Sequence, residues 1–182
     1  ILGRGTRSAK KVKRYLNRER RISDETLRYF DVRYDPSSDA VVFPVRDSVG
    51  RLCALRARIA GTKKIYEISP EQVGIFDTEF PSLSTGAMFG AHLVDFSSPV
   101  MVVEAEIEAM TIHTLGFKNV IAACGSLGHR QAQELVYPFM YFGFDWDKAG
   151  KKSTKRAYDE CRGQSVLFLL KWNEVEGASD PG

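Results

Sequence analysis

Cysteine is scarce in this sequence: Cys53, Cys124 and Cys161 stand far apart in 182 residues, with no Cys-x-x-Cys pair. An odd number at such spacing excludes a disulfide framework and offers no thiolate cage, so no zinc is expected within this chain and a reducing compartment suits it. The three histidines, His92, His113 and His129, likewise lack metal-ligand spacing and read as structural. There is no run of about 18 apolar residues to cross a bilayer. The start, Ile1-Leu2-Gly3-Arg4, has no apolar stretch of the kind a secretion signal needs. The expectation is a soluble, cytoplasmic protein with no membrane partner. No Gly-rich phosphate loop follows any apolar run, which argues against the common α/β nucleotide-binding domains. The chain has no initiating Met and stops at Asp180-Pro181-Gly182, so it is expected to be a piece of a longer protein.

What the chain does have is an ordinary globular balance, 43% hydrophobic and 27% charged, enough for one sizeable core or two small ones. Its net charge of +3 is unevenly placed. Residues 1–21 hold nine Lys or Arg against the single acid Glu19, and without them the remaining 161 residues carry −5. A basic arm precedes a mildly acidic body. Such an arm suits phosphates, with a solvated helix face as the alternative.

Two short helices are predicted first, over 8–18 and 24–30, the second opened by the capping residue Ser23. The hydrophobic period then changes to two. Residues 41–45 and 52–58 read as strands flanking the turn Asp47-Ser48-Val49-Gly50, a β-hairpin, and 63–68 adds a strand. Residues 69–99, punctuated by Pro70, Pro81, Pro99, Gly74, Gly86 and Gly90, read as a loop-rich connection carrying short helices. Beyond it, apolar runs at 100–103, 119–124, 140–144 and 166–170 alternate with helical stretches ending near Leu115, Val136 and Cys161. That spacing specifies a parallel sheet with right-handed crossovers. The expected fold class is α/β: a Rossmann-like parallel sheet flanked by helices in 99–182, preceded in 1–98 by a smaller α+β subdomain.

In open parallel sheets, sites form beyond the carboxyl ends of the strands, which singles out Glu104, Gly125 and the pair Asp145 and Asp147. Asp145-Trp146-Asp147 follows an apolar strand; side chains alternate across a strand, so two carboxylates at this spacing point the same way and can share a cation. Magnesium suits them, because it takes one or two carboxylates and completes its octahedron with water and phosphate oxygens. A bare Asp-x-Asp also serves to cap helices. Glu104 ends a different strand at the same edge, and Glu108 faces the same side one helical turn on. Glu104, Glu106 and Glu108 repel one another unless something positive offsets them. A helix N-terminus contributes only about 0.3–1 kcal/mol per charge, so a cation is the fuller explanation and a solvent-facing acidic first turn the alternative.

Residues 46–64 hold Arg46, Arg51, Arg56, Arg58, Lys63 and Lys64 against only Asp47, a cationic track in which Arg56 and Arg58 share one strand face. Lys148, Lys151, Lys152, Lys155 and Arg156 follow the aspartates on a helix. Both sets suit phosphate contact or an ordinary solvated surface.

Taken in order, four motifs carry a resemblance: Glu104-Ala105-Glu106-Ile107-Glu108-Ala109, Ala122-Ala123-Cys124-Gly125-Ser126-Leu127, Phe144-Asp145-Trp146-Asp147-Lys148-Ala149-Gly150, and Glu176-Gly177-Ala178-Ser179-Asp180-Pro181. They resemble the Toprim domain of bacterial and phage primases. Upstream, Phe43-Pro44-Val45-Arg46-Asp47 with Gly50-Arg51, and Ser69-Pro70-Glu71, look like the amino-terminal half of the DnaG polymerase core, and Ile22-Ser23, Glu25-Thr26-Leu27 and Phe30 fit its entry region. Three departures leave every carboxylate in place. Ala105 stands where the family usually has Gly, Glu108 where it has Asp, and Trp146 where it has a small residue; Ala105 and Trp146 narrow the space beside the metal. A fourth is that Gly182 stands where the acid after Asp180 is expected.

The resemblance implies a DNA primase, a nucleotidyltransferase of the DNA-directed RNA polymerase type. It would join ribonucleoside triphosphates into short RNA primers on single-stranded DNA during replication, in a bacterial cell or phage-infected host. A replicative helicase would be a partner through regions outside this chain, and the piece alone need not be active. Glu104, Glu108, Asp145, Asp147 and Asp180 would hold two or more Mg²⁺ or Mn²⁺ ions, with Glu104, Asp145 and Asp147 catalytic. Arg46, Arg56, Arg58, Lys63, Lys64 and Lys148 would contact nucleic acid or nucleotide, the match at Lys64 being slightly offset. The same carboxylates would serve a Toprim nuclease or topoisomerase, or survive in a silent nucleic-acid-binding module; the upstream hairpin favours primase.

Overall fold

A computed structural model describes residues 7–68 and 86–170. Its basic segment is a helix, α1 (Arg7–Arg14), that buries Ala9 and Val12 and leaves Arg7, Lys10, Lys11 and Arg14 exposed. α1 continues as a π-helical turn, Tyr15–Glu19. Helix α2 (Asp24–Tyr29) opens on Ser23, whose hydroxyl accepts the Thr26 N–H at 3.1 Å as the sequence predicts.

Strands β1 (Arg33–Asp35), β2 (Ala40–Arg46), β3 (Leu52–Ile59) and β4 (Ile65–Glu67) form an antiparallel sheet in that order. The β2–β3 hairpin turns at Gly50, which takes φ 87° and donates its N–H to the Asp47 carbonyl at 2.9 Å. β1 is absent from the expected strands, since three residues carry too little alternation to declare themselves. In β2 and β3, Val41 pairs with Arg58 and Phe43 with Arg56, and paired residues project from one face. That face is turned toward the other half of the molecule, because Val41 and Phe43 belong to the core that also holds Val103 and Ile107.

The second sheet contains β5 (Val100–Val103), β6 (Val120–Ala122), β7 (Phe139–Phe142) and β8 (Val166–Leu169), all parallel, in the order β6-β5-β7-β8. Helices α3 (Glu106–Thr114), α4 (His129–Gln133) and α5 (Lys148–Cys161) make the crossovers. The fold is therefore the α/β class read from the sequence. β6 and β7 are shorter than their apolar runs, and α4 is a five-residue helix where a longer one was expected. Of the connection over 69–99, residues 69–85 lie outside the described residues, and Ala91–Leu93 form a single 3-10 turn.

One aromatic side chain joins the sheets. Phe89 stacks on Phe30 at 4.8 Å, meets Phe43 of β2 edge-on at 6.0 Å, and exchanges both backbone hydrogen bonds with Ala122 of β6 at 2.9 Å. It is 1% exposed, so no solvent path compensates its loss. Phe89→Ala is expected to cost about 3–5 kcal/mol of stability; chemical denaturation reads this directly, and a loss below about 1 kcal/mol would mean that the two sheets hold together without it.

Candidate metal centre

The tips of the parallel strands are level: Val103 pairs with Ala122, and Val102 with Phe142. Glu104 follows β5 immediately, with its peptide groups held on both sides. Its N–H donates to Glu108 Oε2 at 3.1 Å, and its carbonyl accepts the Gly125 N–H at 2.9 Å. The Ala105 N–H donates to the same Glu108 oxygen at 2.9 Å. Ala105 has no side-chain acceptor of its own, so the Glu108 carboxylate folds back to satisfy the open N–H groups at the start of α3.

The three glutamates predicted to repel one another go to different partners. Glu106 is buried and faces Arg56, whose Nε lies 3.1 Å from Glu106 Oε1; Arg56 Nη1 also donates to the Cys124 carbonyl. Glu108 is tied to the helix start. Glu104 is left facing the aspartates: burial, then Asp145, then Asp147 raise its carboxyl above the usual range. Its Oε2 is buried and accepts no hydrogen bond among the described residues. Burial pushes Glu108 up to about 8, with Asp145 and Glu104 adding to the shift against the two backbone donors. Glu104, Glu108, Asp145 and Asp147 are thus near enough to feel one another.

Asp145 and Asp147 come together by a route the sequence did not reveal. They lie beyond β7, in the turn before α5, after the last ladder bond from Gly143 N–H to Val102 O at 2.9 Å. Strand alternation therefore does not aim them. Asp147 is the N-cap of α5 and accepts the Gly150 N–H through Oδ1 at 2.8 Å. Asp145 is placed by Gly150, where a Cβ would overlap the Asp145 carbonyl oxygen and come within 2.9 Å of its nitrogen. The Trp146 ring lies under the Lys151 ammonium at 5.0 Å.

Among the described residues, no three His, Cys, Asp or Glu side chains converge tightly enough to enclose an ion alone. The donor set still fits a hard cation that takes one or two carboxylates and fills its shell with water and phosphate, because Glu104 presents a buried oxygen without a hydrogen-bond partner toward two further carboxylates. Asp180 lies outside the described residues.

The basic residues divide. Arg46 reaches Asp31 at 3.5 Å and the Gly50 carbonyl at 3.1 Å. Arg58 is nearly buried and donates to the Thr62 carbonyl at 2.9 Å. Lys63, Lys64 and Lys148 are exposed. Arg56 alone is drawn into the acidic centre. Its pairing with Glu106 has no local sequence signal, because it depends on contact between distant segments.

Residues 101–181 match the family described as Toprim-like. A DNA primase of Pseudomonas aeruginosa is 29% identical over 148 residues, 76% of this chain and 22% of that protein. A DNA primase of Pseudomonas putida is 30% identical over 132 residues, 70% of this chain and 19% of that one. The chain spans about a fifth of the length of these relatives. Of solved structures, the zinc-binding and RNA polymerase domains of the Aquifex aeolicus primase superpose with a TM-score of 0.72 at 21% identity, covering 97% of this chain and 51% of that one. A DnaG primase catalytic domain bound to single-stranded DNA does so with a TM-score of 0.71 at 17% identity, covering 97% and 67%. The parallel sheet with its acidic edge is a Toprim domain. Together with the antiparallel half in front of it, the chain is a Toprim-containing core of the DnaG primase type.

Two outcomes follow from this geometry. Gly150→Ala is expected to push Asp145 off its position and weaken Mn²⁺ binding, measured by titration, while α5 gains a better helix former; undiminished Mn²⁺ affinity would show that Asp145 tolerates the displacement. The second concerns pH. The folded-state pKa of Glu108, about 8, lies above its ordinary 4.5, so its contribution to stability is fully present below pH 4.5 and is lost as pH rises through 8. Glu104, also raised, acts in the same sense; His92 and His113, lowered from 6.5 by burial, act in the opposite sense as pH rises to 6.5, and Asp24, Asp35 and Asp47 lie below 3.8 and titrate beneath this window. Above pH 6.5, where the histidines no longer titrate, the Tm of the metal-free protein is expected to fall toward pH 8, and less steeply in Glu108→Gln. Equal slopes would clear Glu108 as the source.

Proposed function

We propose that the chain is the ion-holding and template-holding part of a DNA primase, which copies single-stranded DNA into a short RNA primer. The observation that carries this reading is the buried, unpartnered oxygen of Glu104 set against Asp145 and Asp147 at the edge of a parallel sheet, in a core of DnaG type. Labour divides near residue 98, with 1–98 taking template and triphosphate and 99–182 the ions. Two or more Mg²⁺ or Mn²⁺ ions would be held by Glu104, Asp145 and Asp147, with Glu108 and Asp180 completing the set. When bound, they activate the attacking 3′-hydroxyl and stabilise the leaving pyrophosphate.

The chain's own residues supply position and charge. Glu104 is fixed through both of its peptide groups, and Asp147 caps α5 with Oδ1, leaving Oδ2 for a ligand. Exposed Lys63 and Lys64 in the β3–β4 turn, with Arg46, Arg58 and Lys148, would meet the phosphates of template and ribonucleoside triphosphates. A replicative helicase as a partner of the whole protein is supported by likeness to the primase fragment of the bacteriophage T7 primase-helicase protein, with a TM-score of 0.69 at 20% identity, covering 90% of this chain and 65% of that one. No helix among the described residues is long and apolar enough to cross a membrane.

The test is primer synthesis on single-stranded DNA by the full-length parent protein with ribonucleotides and Mg²⁺ or Mn²⁺. Asp145→Ala with Asp147→Ala is expected to reduce the rate about a hundredfold or more; RNA made equally well by that variant would rule the mechanism out. Lys63→Ala with Lys64→Ala is expected instead to weaken template binding and flatten its dependence on salt, leaving kcat little changed. An unaltered salt slope would remove these lysines from the track.

A further inference from the structure

The mechanism above makes no use of the buried Arg56–Glu106 pair. Its two side chains are 13% and 2% exposed and come from different halves of the chain: Arg56 from the middle of β3, Glu106 from the first turn of α3. Burying such a pair is a poor way to stabilise a fold, because two well-packed apolar residues of similar volume often do as well or better. An apolar pair, however, cannot hold a backbone carbonyl.

Arg56 does hold one. Glu106 Oε1 holds the guanidinium by charge, 3.1 Å from Nε without a hydrogen bond to it, and Nη1 of the same planar group donates to the Cys124 carbonyl. Cys124 sits in the loop after β6 with φ 64°, a left-handed backbone that a non-glycine residue keeps only when its surroundings hold it there. The next residue, Gly125, donates its N–H to the carbonyl of Glu104 at 2.9 Å. The path therefore runs from β3 through Arg56 to the Cys124–Gly125 loop and ends on Glu104. Its second branch ends on Glu106, two residues further along α3. Both branches close on the segment that carries Glu104, whose own N–H is held by Glu108.

We infer that Arg56 and Glu106 are positioning residues of the cation site, a clamp through which the antiparallel sheet fixes the placement of Glu104. This assigns the Arg56 guanidinium to the protein's own scaffold and not to the phosphates of a substrate. It rests on the cation-binding reading above for its purpose, while the clamp itself belongs to the metal-free protein.

The test uses the full-length parent protein and Arg56→Met with Glu106→Leu, which replaces the pair by apolar residues and leaves no lone buried charge. The expected result is a normal unfolding transition with faster hydrogen exchange at the Gly125, Glu104 and Ala105 amides, and Mn²⁺ affinity lowered about tenfold or more. Should that variant fail to fold, Arg56→Lys serves: it keeps the charge opposite Glu106, but a single ammonium cannot reproduce the fork, so exchange at Gly125 is again expected to quicken. Parent-like exchange and Mn²⁺ affinity in a folded variant would overturn the clamp. So would a raised KM for template with unchanged exchange, which would assign Arg56 to nucleic acid. A parent protein that makes no primers would remove the primase reading but leave the exchange result standing, so the two failures are told apart.

Discussion

Like charges gathered at one edge of a sheet are the constraint on which the rest of this structure depends. Glu104, Glu108, Asp145 and Asp147 lie close enough that each neighbouring carboxylate makes the buried glutamates harder to ionise. The fold answers with several local devices. Two helix starts receive Glu108 and Asp147, and a guanidinium from the other sheet receives Glu106. What remains is Glu104 with an oxygen that no protein donor meets among the described residues, and an incoming cation is the group that would complete the arrangement.

Seen this way, the helices α3 and α5 do more than connect strands. Each begins at the acidic edge and offers unpaired N–H groups there, so each binds one carboxylate firmly and brings it near the others. Such bonds are individually weak, yet they remove conformational freedom from side chains that must meet a ligand with defined geometry. Gly150 acts in the same direction by letting the α5 helix approach the backbone of Asp145.

Much of this was legible in the sequence, for identifiable reasons. The parallel half declared itself through long apolar runs separated by helical stretches, and the acidic residues fell where the runs stop, at Glu104 and beyond Phe142. The hairpin and its turn were equally clear, because alternation over seven or eight residues leaves few other readings. What stayed hidden involved partners distant in sequence. Arg56 looked like a member of a cationic track, since nothing local shows that it faces Glu106 fifty residues later. Asp145 and Asp147 were placed at the right edge for an incomplete reason, as a turn and a cap bring them together and not the pleat of a strand. β1 and the short α4 lacked the length that makes a pattern visible.

The apolar body that contains Phe43, Phe89, Val103 and Ile107 belongs to both sheets at once. Two sheets that share a single interior have no hinge between them: parting them would expose close-packed side chains to water, at a cost that rises with every ångström of opening. The distance between the acidic edge and the basic β3–β4 turn is thus set when the chain folds, a gauge that already exists before anything binds.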